Sequence, residues 1–188
     1  MKRTLLCLLA AAWIHFLLPP MAVAGAVVGS CHGVTGNLVV NCGFETGDLT
    51  GWTLIPAASG SLANVVHSVP HSGSWAFGFA GSTVGSYDTL QQAIATKPGV
   101  QYNLSFWLAN NSLSGSDFQV LWNGVVVYDN SSPAFLYTKL SLTVVGTGSD
   151  TLSFRGYNLP GVYALDDIVL TQNTASYLSS SWWWWYVL

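Results

Sequence analysis

Short alternating segments separated by turn residues are the feature that most constrains how this chain can fold. Between Asn37 and Thr171 no amphipathic helical stretch runs longer than two turns. Apolar and polar residues instead alternate with a period of two, in segments bounded by Gly, Asn, Asp or Pro. The dipeptide Asn123-Gly124, which favours a type I′ hairpin, joins two such segments. The pattern predicts an all-β fold, a single antiparallel β-sandwich of the jelly-roll type.

The composition agrees with this fold class and excludes several others. Only 7% of the residues are charged, whereas 51% are hydrophobic and 13% aromatic. So few charges exclude a coiled coil, and nine Trp with eight Phe exclude simple disorder. Five basic against eight acidic side chains leave a net charge of −3. The chain lacks the basic surface typical of nucleic-acid-binding proteins, so no nucleic-acid partner is expected.

The first 24 residues have the layout of a secretory signal peptide. Two basic residues at 2–3 precede an apolar run over 5–18, and a small-x-small site follows at 22–24. The run is short for a membrane span, which needs about 20 residues, so cleavage is favoured over a retained anchor. We therefore expect residues 1–24 to be removed and the protein to be secreted, extracellular or at the cell surface.

The rest of the chain is expected to divide into three parts. Residues 25–36 form an N-terminal extension, residues 37–172 form the sandwich, and residues 173–188 form a disordered tail. The tail contains four consecutive tryptophans, Trp182–Trp185, and its last seven residues are too few to cross a bilayer. We expect no firm membrane anchor, although the indole rings would also suit a membrane interface or a groove on a partner.

Cysteine usage is typical of an exported protein. Cys7 lies in the leader, which leaves Cys31 and Cys42 as an even pair. In an exported chain such a pair predicts a disulfide rather than a metal half-site, for which His32 is the one neighbouring ligand. Closing this short loop would stabilise the fold by about 3 kcal/mol. The bridge is expected to pin the extension onto a first strand at Leu38–Cys42.

Four motifs, taken in order, resemble a known group of domains. They are the segment 37–48 followed by Gly51-Trp52, and the segments 71–77, 102–109 and 165–168, which read NLVVNCGFETGD, HSGSWAF, YNLSFWLA and LDDI. The set resembles calcium-containing jelly-roll carbohydrate-binding modules and, more closely, the related domain of bacterial exported PEP-CTERM proteins. The resemblance implies a galactose-binding-like sandwich outside the cytoplasm, without catalytic residues. The chain has no Pro-Glu-Pro signature, so the sorting of that family is not carried over.

The resemblance also implies a structural Ca²⁺ that joins the first and last strands. Glu45 and one of Asp166 and Asp167 fall on matching positions, with backbone carbonyls near Ser72 and Gly73 as further ligands. Calcium takes six to eight oxygen ligands, which carboxylates and turn carbonyls can supply. Adjacent aspartates in a chain with so few charges repel each other unless they are solvated or neutralised by a cation. Alternation leaves open which aspartate binds, and also that one of them is simply solvated.

Side chains suited to sugars occupy positions that alternation directs away from the core. Trp107, Gln119 and Arg155 combine a flat aromatic face with amide and guanidinium hydrogen-bonding groups. Asn110 and Asn158 are further candidates in nearby loops. The sequence therefore predicts a site for an extracellular polysaccharide or glycan. The alternative is that Trp107 packs beneath a covering loop.

No pattern in the sequence points to catalysis. A glycosidase needs two carboxylates flanking a cleft, and the acidic residues here lie in turns without apolar surroundings. His67 and His71 have no nucleophile elbow beside them and are read as surface histidines. We expect a non-catalytic protein. The alternative function is a structural or adhesive matrix or biofilm protein, in which self-association replaces a defined sugar pocket.

Overall fold

The structure is a computed structural model, and it describes residues 29–174. The predicted signal peptide and the Trp182–Trp185 run lie outside the described residues. The described chain contains ten strands and one short 3₁₀-helix, Ser30–Gly33. The strands are β1 Thr53–Ile55, β2 Asn64–Val66, β3 Ala76–Ala80, β4 Asp88–Ala95, β5 Gln101–Asn110, β6 Ser116–Trp122, β7 Val125–Asn130, β8 Phe135–Val145, β9 Ser149–Asn158 and β10 Val162–Gln172.

Two five-stranded antiparallel sheets build the sandwich. Sheet A has the order β1-β4-β9-β6-β7, and sheet B has the order β2-β3-β10-β5-β8. Sequence neighbours such as β4 and β5 lie in different sheets, which is the crossing pattern of a jelly roll. The predicted all-β sandwich is confirmed. Over residues 29–174 no helix is long and apolar enough to cross a membrane.

Aromatic side chains from both sheets fill the space between the layers. Phe106 of sheet B contacts Phe154 of sheet A, with ring centroids 5.2 Å apart at an angle of 74°. Phe118 meets Phe79 across the same layer at 5.6 Å. Each fully buried ring contributes about 1.5–3 kcal/mol relative to an exposed one. The period of two therefore gives each strand one core face and one outward face.

The segment expected to form the first strand is a series of turns. Leu38–Cys42 does not form a strand, since residues 40–43 turn and the side chain of Asn37 makes part of the contact with β10. Asn37 Oδ1 accepts the amides of Val39 and Leu170, and Asn37 Nδ2 donates to the carbonyl of Ile168. The segment is thus held to β10 by the Asn37 side chain and by two backbone hydrogen bonds, Leu38 N–H to the Leu170 carbonyl and Ile168 N–H to the Cys42 carbonyl, without a continuous ladder.

The predicted disulfide is present between Cys31 and Cys42. It ties the 3₁₀-helix to the turn that follows Asn41, rather than to a strand. The alternative metal half-site is wrong, since both sulfurs are used in the bond and His32 beside them is exposed. The bridge therefore fixes the start of the described chain close to β10.

An irregularity in β10 sets the geometry of the carboxylates. The pairing of β10 with β5 shifts register between Asp166 and Val169. Asp167 has φ of 49°, in the left-handed region that costs a residue with a side chain about 1 kcal/mol or more. The next residue, Ile168, donates its amide to the carbonyl of Cys42 at 2.9 Å. The bulge thus turns Asp167 toward the disulfide-bonded segment.

Candidate functional site

The predicted cation ligands come together where the first described residues meet β10. Ser72 Oγ donates to the Asp167 carboxylate at 2.8 Å. A Cβ atom built on Gly29 would lie 3.4 Å from Asp167 Oδ1, 3.5 Å from Ser72 Oγ and 3.5 Å from Glu45 Cγ. Side chains from three chain segments that are far apart in sequence therefore lie close to Gly29. We call Glu45, Ser72, Asp166 and Asp167 the carboxylate site.

Asp166 anchors the loop between β2 and β3. It is fully buried, and its Oδ2 accepts the amides of His71 at 2.8 Å and Ser72 at 3.1 Å. Its Oδ1 accepts the amide of Asp167 at 2.7 Å. Burial and the neighbouring charge of Asp167 raise the pKa of Asp166 to about 7. These three backbone donors hold the loop against β10.

Asp167 faces the other oxygen ligands. Burial alone would raise the pKa of Asp167, but hydrogen bonds from His71 and Ser72 hold it below its usual value. His71 Nδ1 lies 2.7 Å from Asp167 Oδ2, and the amide of Cys31 donates to Oδ1 at 3.2 Å. Within residues 29–174 the contact between His71 and Asp167 is the only one at ion-pair distance between a basic and an acidic side chain. The expectation that His71 is a plain surface histidine is wrong because its ring contacts the buried carboxylate of Asp167.

Gly73 makes room for Glu45. Its φ of 67° favours glycine, and a Cβ atom there would lie 2.2 Å from Glu45 Oε1. Glu45 then accepts the amide of Ser74 at 3.0 Å and that of Trp75 at 3.2 Å. A side chain at position 73 would therefore displace Glu45 from the loop.

The donor set of the carboxylate site fits a hard cation. It offers carboxylate oxygens from Glu45 and Asp167 and the hydroxyl of Ser72, and Ca²⁺ prefers oxygen ligands. Two buried aspartates lie next to each other, and over residues 29–174 no lysine or arginine pairs with them. Buried charges need a partner of opposite sign. A divalent cation would supply it.

A second group of polar side chains lies on the outward face of sheet A. Arg155 Nε donates to Gln119 Oε1 at 2.7 Å, and Gln119 Nε2 donates to Asp129 Oδ2 at 2.9 Å. The guanidinium carbon of Arg155 lies 4.7 Å from the ring centroid of Tyr87. The register aligns them, since Arg155 pairs with Thr89 on one side and with Gln119 on the other. The structure thus brings together two of the predicted glycan-binding residues.

Two further pairs extend this group, which we call the sheet A cluster: Tyr87, Asp117, Gln119, Asp129, Arg155 and Tyr157. Tyr87 OH donates to Asp117 Oδ2, and the rings of Tyr87 and Tyr157 meet edge to face at 5.0 Å. Burial and the nearby Asp129 raise the pKa of Asp117. Sequence reasoning missed Tyr87, Tyr157 and the two aspartates. The sequence contained a signal for two of these residues. Asp117 lies two residues before Gln119 and Tyr157 lies two residues after Arg155, so each shares a strand face with a predicted residue.

Trp107 does not join the sheet A cluster. It lies on β5 in sheet B, where His71 stacks on it with centroids 3.8 Å apart and planes at 17°. The expectation that Trp107 shares a site with Gln119 and Arg155 is wrong because the jelly-roll crossing places β5 in the other sheet. The alternative, packing beneath a covering loop, describes what the structure shows.

Asn110 and Asn158 are structural rather than exposed. They are 3% and 0% exposed, and Asn158 Nδ2 donates to Asn110 Oδ1 at 2.9 Å. Asn110 Nδ2 donates to Ser116 Oγ and to the carbonyl of Ser132. Their prediction as glycan-binding loop residues is wrong, since both continue the core faces of their strands and hold adjacent loops.

Known proteins resemble this chain in sequence and in fold. A stretch of 77 residues is 34% identical to endo-1,4-β-xylanase A of Thermoanaerobacterium saccharolyticum and covers 39% of this chain. The solved structure of TmCBM61 with β-1,4-galactotriose matches with a TM-score of 0.56 and 20% identity, over 73% of this chain and 99% of that one. The CBM22-1 xylan-binding domain of Paenibacillus barcinonensis Xyn10C matches with a TM-score of 0.53 and 16% identity, over 73% and 95%.

These matches show that the chain shares its fold with solved domains that include carbohydrate-binding modules. The chain spans only 6% of the xylanase it matches. No protein-family profile matches the chain. The closer likeness to the PEP-CTERM domain therefore stays a prediction from the motifs quoted above.

Proposed function

We propose that this protein is a non-catalytic extracellular module that binds a polysaccharide or glycan on the outward face of sheet A. The observation that carries the proposal is the sheet A cluster, in which Arg155 is oriented by Gln119 and lies over the Tyr87 ring. Two similar folds belong to a protein solved with β-1,4-galactotriose and to a xylan-binding domain. Both facts support a glycan ligand.

The chemistry of the cluster suits sugar hydroxyls. Arg155 uses Nε for Gln119, which leaves both terminal nitrogens of its planar fork for a ligand. Over residues 29–174 no carboxylate forms an ion pair with Arg155. Aspartate and glutamine oxygens accept hydrogen bonds from hydroxyls, and tyrosine rings pack against apolar sugar faces. Neighbouring strands hold these groups in register, so a ligand meets a preformed surface.

We propose further that the carboxylate site holds a structural Ca²⁺ through Glu45, Asp167 and Ser72. The cation would neutralise buried carboxylates and tie the disulfide-bonded segment to β10. Asp166 is assigned to loop anchoring because three backbone amides occupy its oxygens. The cation is thus proposed to stabilise the fold, whereas the glycan contacts lie on the other sheet.

We propose that the protein is secreted. The leader predicted over residues 1–24, the disulfide and the low content of charged residues support it. Membership of the PEP-CTERM group would be consistent with export. The sorting step of that group is not part of the proposal.

A matrix or adhesive role is the second candidate, and one observation favours it. Three valines of the edge strand β7, Val125 to Val127, are 65%, 42% and 39% exposed. An exposed apolar edge strand is a surface on which a second copy can pair. Light scattering of the protein from micromolar to millimolar concentration distinguishes the two roles, since an adhesive protein associates without any glycan.

The experiment that tests the glycan proposal compares two basic residues on opposite sheets. Arg155→Ala and the matched control Lys139→Ala each remove one positive charge, and Lys139 lies on β8 of sheet B. Affinity electrophoresis through gels containing β-1,4-galactan or xylan measures retention. We expect Arg155→Ala to weaken retention by about tenfold, since hydrogen bonds to charged groups contribute roughly 1.5–3 kcal/mol. Lys139→Ala should be retained like the wild type, and equal retention of both variants would overturn the proposal.

A further inference from the structure

Two aromatic side chains on the outward face of sheet B hold the loop between β2 and β3. His71 stacks on Trp107 at 3.8 Å and meets the ring of Tyr137 edge to face at 5.1 Å. Tyr137 OH donates to the carbonyl of Val69 at 2.6 Å, two residues before His71. Two strands, β5 and β8, therefore hold the backbone and the ring of one short loop segment.

The same segment carries the contacts of the carboxylate site. His71 Nδ1 engages Asp167 Oδ2 at 2.7 Å, and Ser72 Oγ donates to the same carboxylate. The other oxygen, Asp167 Oδ1, is the one near Gly29, on the side where Glu45 lies. Oδ1 accepts the Cys31 amide and the Ser72 hydroxyl, so His71 on Oδ2 and these two donors on Oδ1 together orient the carboxylate.

Asp166 on β10 also holds this loop segment. It pairs with Trp107 in the β10–β5 register, and it accepts the amides of His71 and Ser72. The loop is thus fixed by its backbone at Asp166 and by its side chain at Trp107. Removing the Trp107 ring would leave the backbone contacts and take away the ring on which the imidazole stacks.

We propose that Trp107 is a positioning residue for the cation site, acting through the stacked ring of His71 on Asp167. This inference rests on the proposed Ca²⁺ and is independent of the sheet A cluster. Trp107 touches none of the oxygen ligands of the cation in this account. It sets the orientation of His71, and His71 sets the orientation of Asp167.

Calcium titration of chelator-treated protein by isothermal calorimetry tests the inference. Trp107→Ala should weaken calcium binding by about tenfold or more, which is the usual effect of losing a partner that orients a metal ligand. Trp107→Phe keeps a flat ring and should restore most of the affinity. Tyr137→Phe keeps the ring contact with His71 and loses only the hydrogen bond to Val69, so its effect should be smaller.

A double variant separates positioning from a general loss of stability. If Trp107 acts through His71, then Trp107→Ala combined with His71→Ala should bind calcium no more weakly than His71→Ala alone. Additive losses, or a wild-type calcium affinity in Trp107→Ala, would overturn the inference. If Trp107→Ala does not fold, Trp107→Phe and His71→Ala give the same test.

Glycan retention measured at saturating calcium keeps this inference distinct from the glycan proposal. Retention of Trp107→Ala should equal that of the wild type, because the sheet A cluster lies on the other layer. Loss of retention with unchanged calcium affinity would overturn the positioning role and return Trp107 to the glycan site. Absence of calcium binding by the wild-type protein would overturn both the cation site and this inference, and would leave the glycan proposal standing.

Discussion

The carboxylate site and the sheet A cluster are built in opposite ways from similar side chains. In the carboxylate site, backbone amides of Cys31, His71, Ser72 and Ser74 and the side chains of His71 and Ser72 contact the carboxylates. These donors lie far in sequence from the carboxylates that they contact. In the sheet A cluster, side chains bond to side chains on adjacent strands, as Arg155 does to Gln119. The first arrangement holds the fold together. In the second, Asp129 is exposed and Tyr87, Arg155 and Tyr157 are partly exposed, so a ligand can add to their contacts, whereas Asp117 and Gln119 are buried.

The largest difference between the two regions should appear on truncating one acid in the carboxylate site. Asp167→Ala leaves His71, Ser72 and the amide of Cys31 without their acceptor. We expect a loss of about 3 kcal/mol in the free energy of unfolding, measured with urea, because breaking a buried charged pair is strongly destabilising. The matched variant Asp129→Ala, on the exposed face, should lose less than about 0.5 kcal/mol. Similar losses in both would contradict the comparison.

Opening the disulfide should have the next largest effect. Replacing Cys31 and Cys42 together by serine should lower the free energy of unfolding by about 3 kcal/mol. The bridge holds the segment that donates to Asp167, so the apparent calcium affinity should fall in the same variant. Retention on glycan at saturating calcium should stay unchanged. A variant that loses retention while its calcium affinity stays normal would show that the two regions are coupled.

The pH dependence of stability should identify the carboxylate site without any truncation. The pKa of Asp166 is raised from 3.8 to about 7 by burial and by Asp167, so the folded state binds the extra proton between those values. Stability of the calcium-free protein should therefore fall as the pH rises from about 4 to about 7. Melting temperatures in chelator across this range measure the effect. Asp166→Asn should flatten the profile, and a profile that rises with pH would contradict the assignment.

The smallest predicted effect concerns the orientation of Arg155. Gln119→Ala removes the acceptor for Arg155 Nε and the donor to Asp129. We expect glycan affinity to fall several-fold, since one hydrogen bond is worth about 0.5–1.5 kcal/mol. Titration with a soluble xylo- or galacto-oligosaccharide measures it. An effect larger than that of Arg155→Ala would show that Gln119, rather than Arg155, makes the principal contact.

Local alternation explains what could be predicted from the sequence. The period of two placed Phe118 and Val120 in the core and turned Gln119 and Arg155 outward. The face on which a side chain lies depends only on its position along its own strand. The motif resemblance placed Glu45 and Ser72 near the Asp166-Asp167 pair. These predictions needed no knowledge of which strands share a sheet.

The predictions were wrong where the structure depends on the order of strands in the sheets or on hydrogen bonds made by a side chain. Trp107 faces outward as predicted, but β5 lies in sheet B, and alternation cannot assign a strand to a layer. Leu38–Cys42 looked like a strand because its residues suit one, whereas residues 40–43 turn and the side chain of Asn37 makes part of the contact with β10. Asn110 and Asn158 follow the core faces of their own strands, so strict use of the alternation would have placed them inside.

The most direct test of the account is a map of amide and side-chain resonances in ¹⁵N-labelled protein during titration with β-1,4-galactotriose or a xylo-oligosaccharide, with calcium present. We predict shifts concentrated at Arg155, Gln119 and Tyr87, with the Arg155 Nε–H and Gln119 side-chain signals moving most. Signals of the loop at residues 69–75 and of Trp107 should stay in place. Shifts centred on Trp107 and that loop, with the sheet A cluster unmoved, would contradict the account.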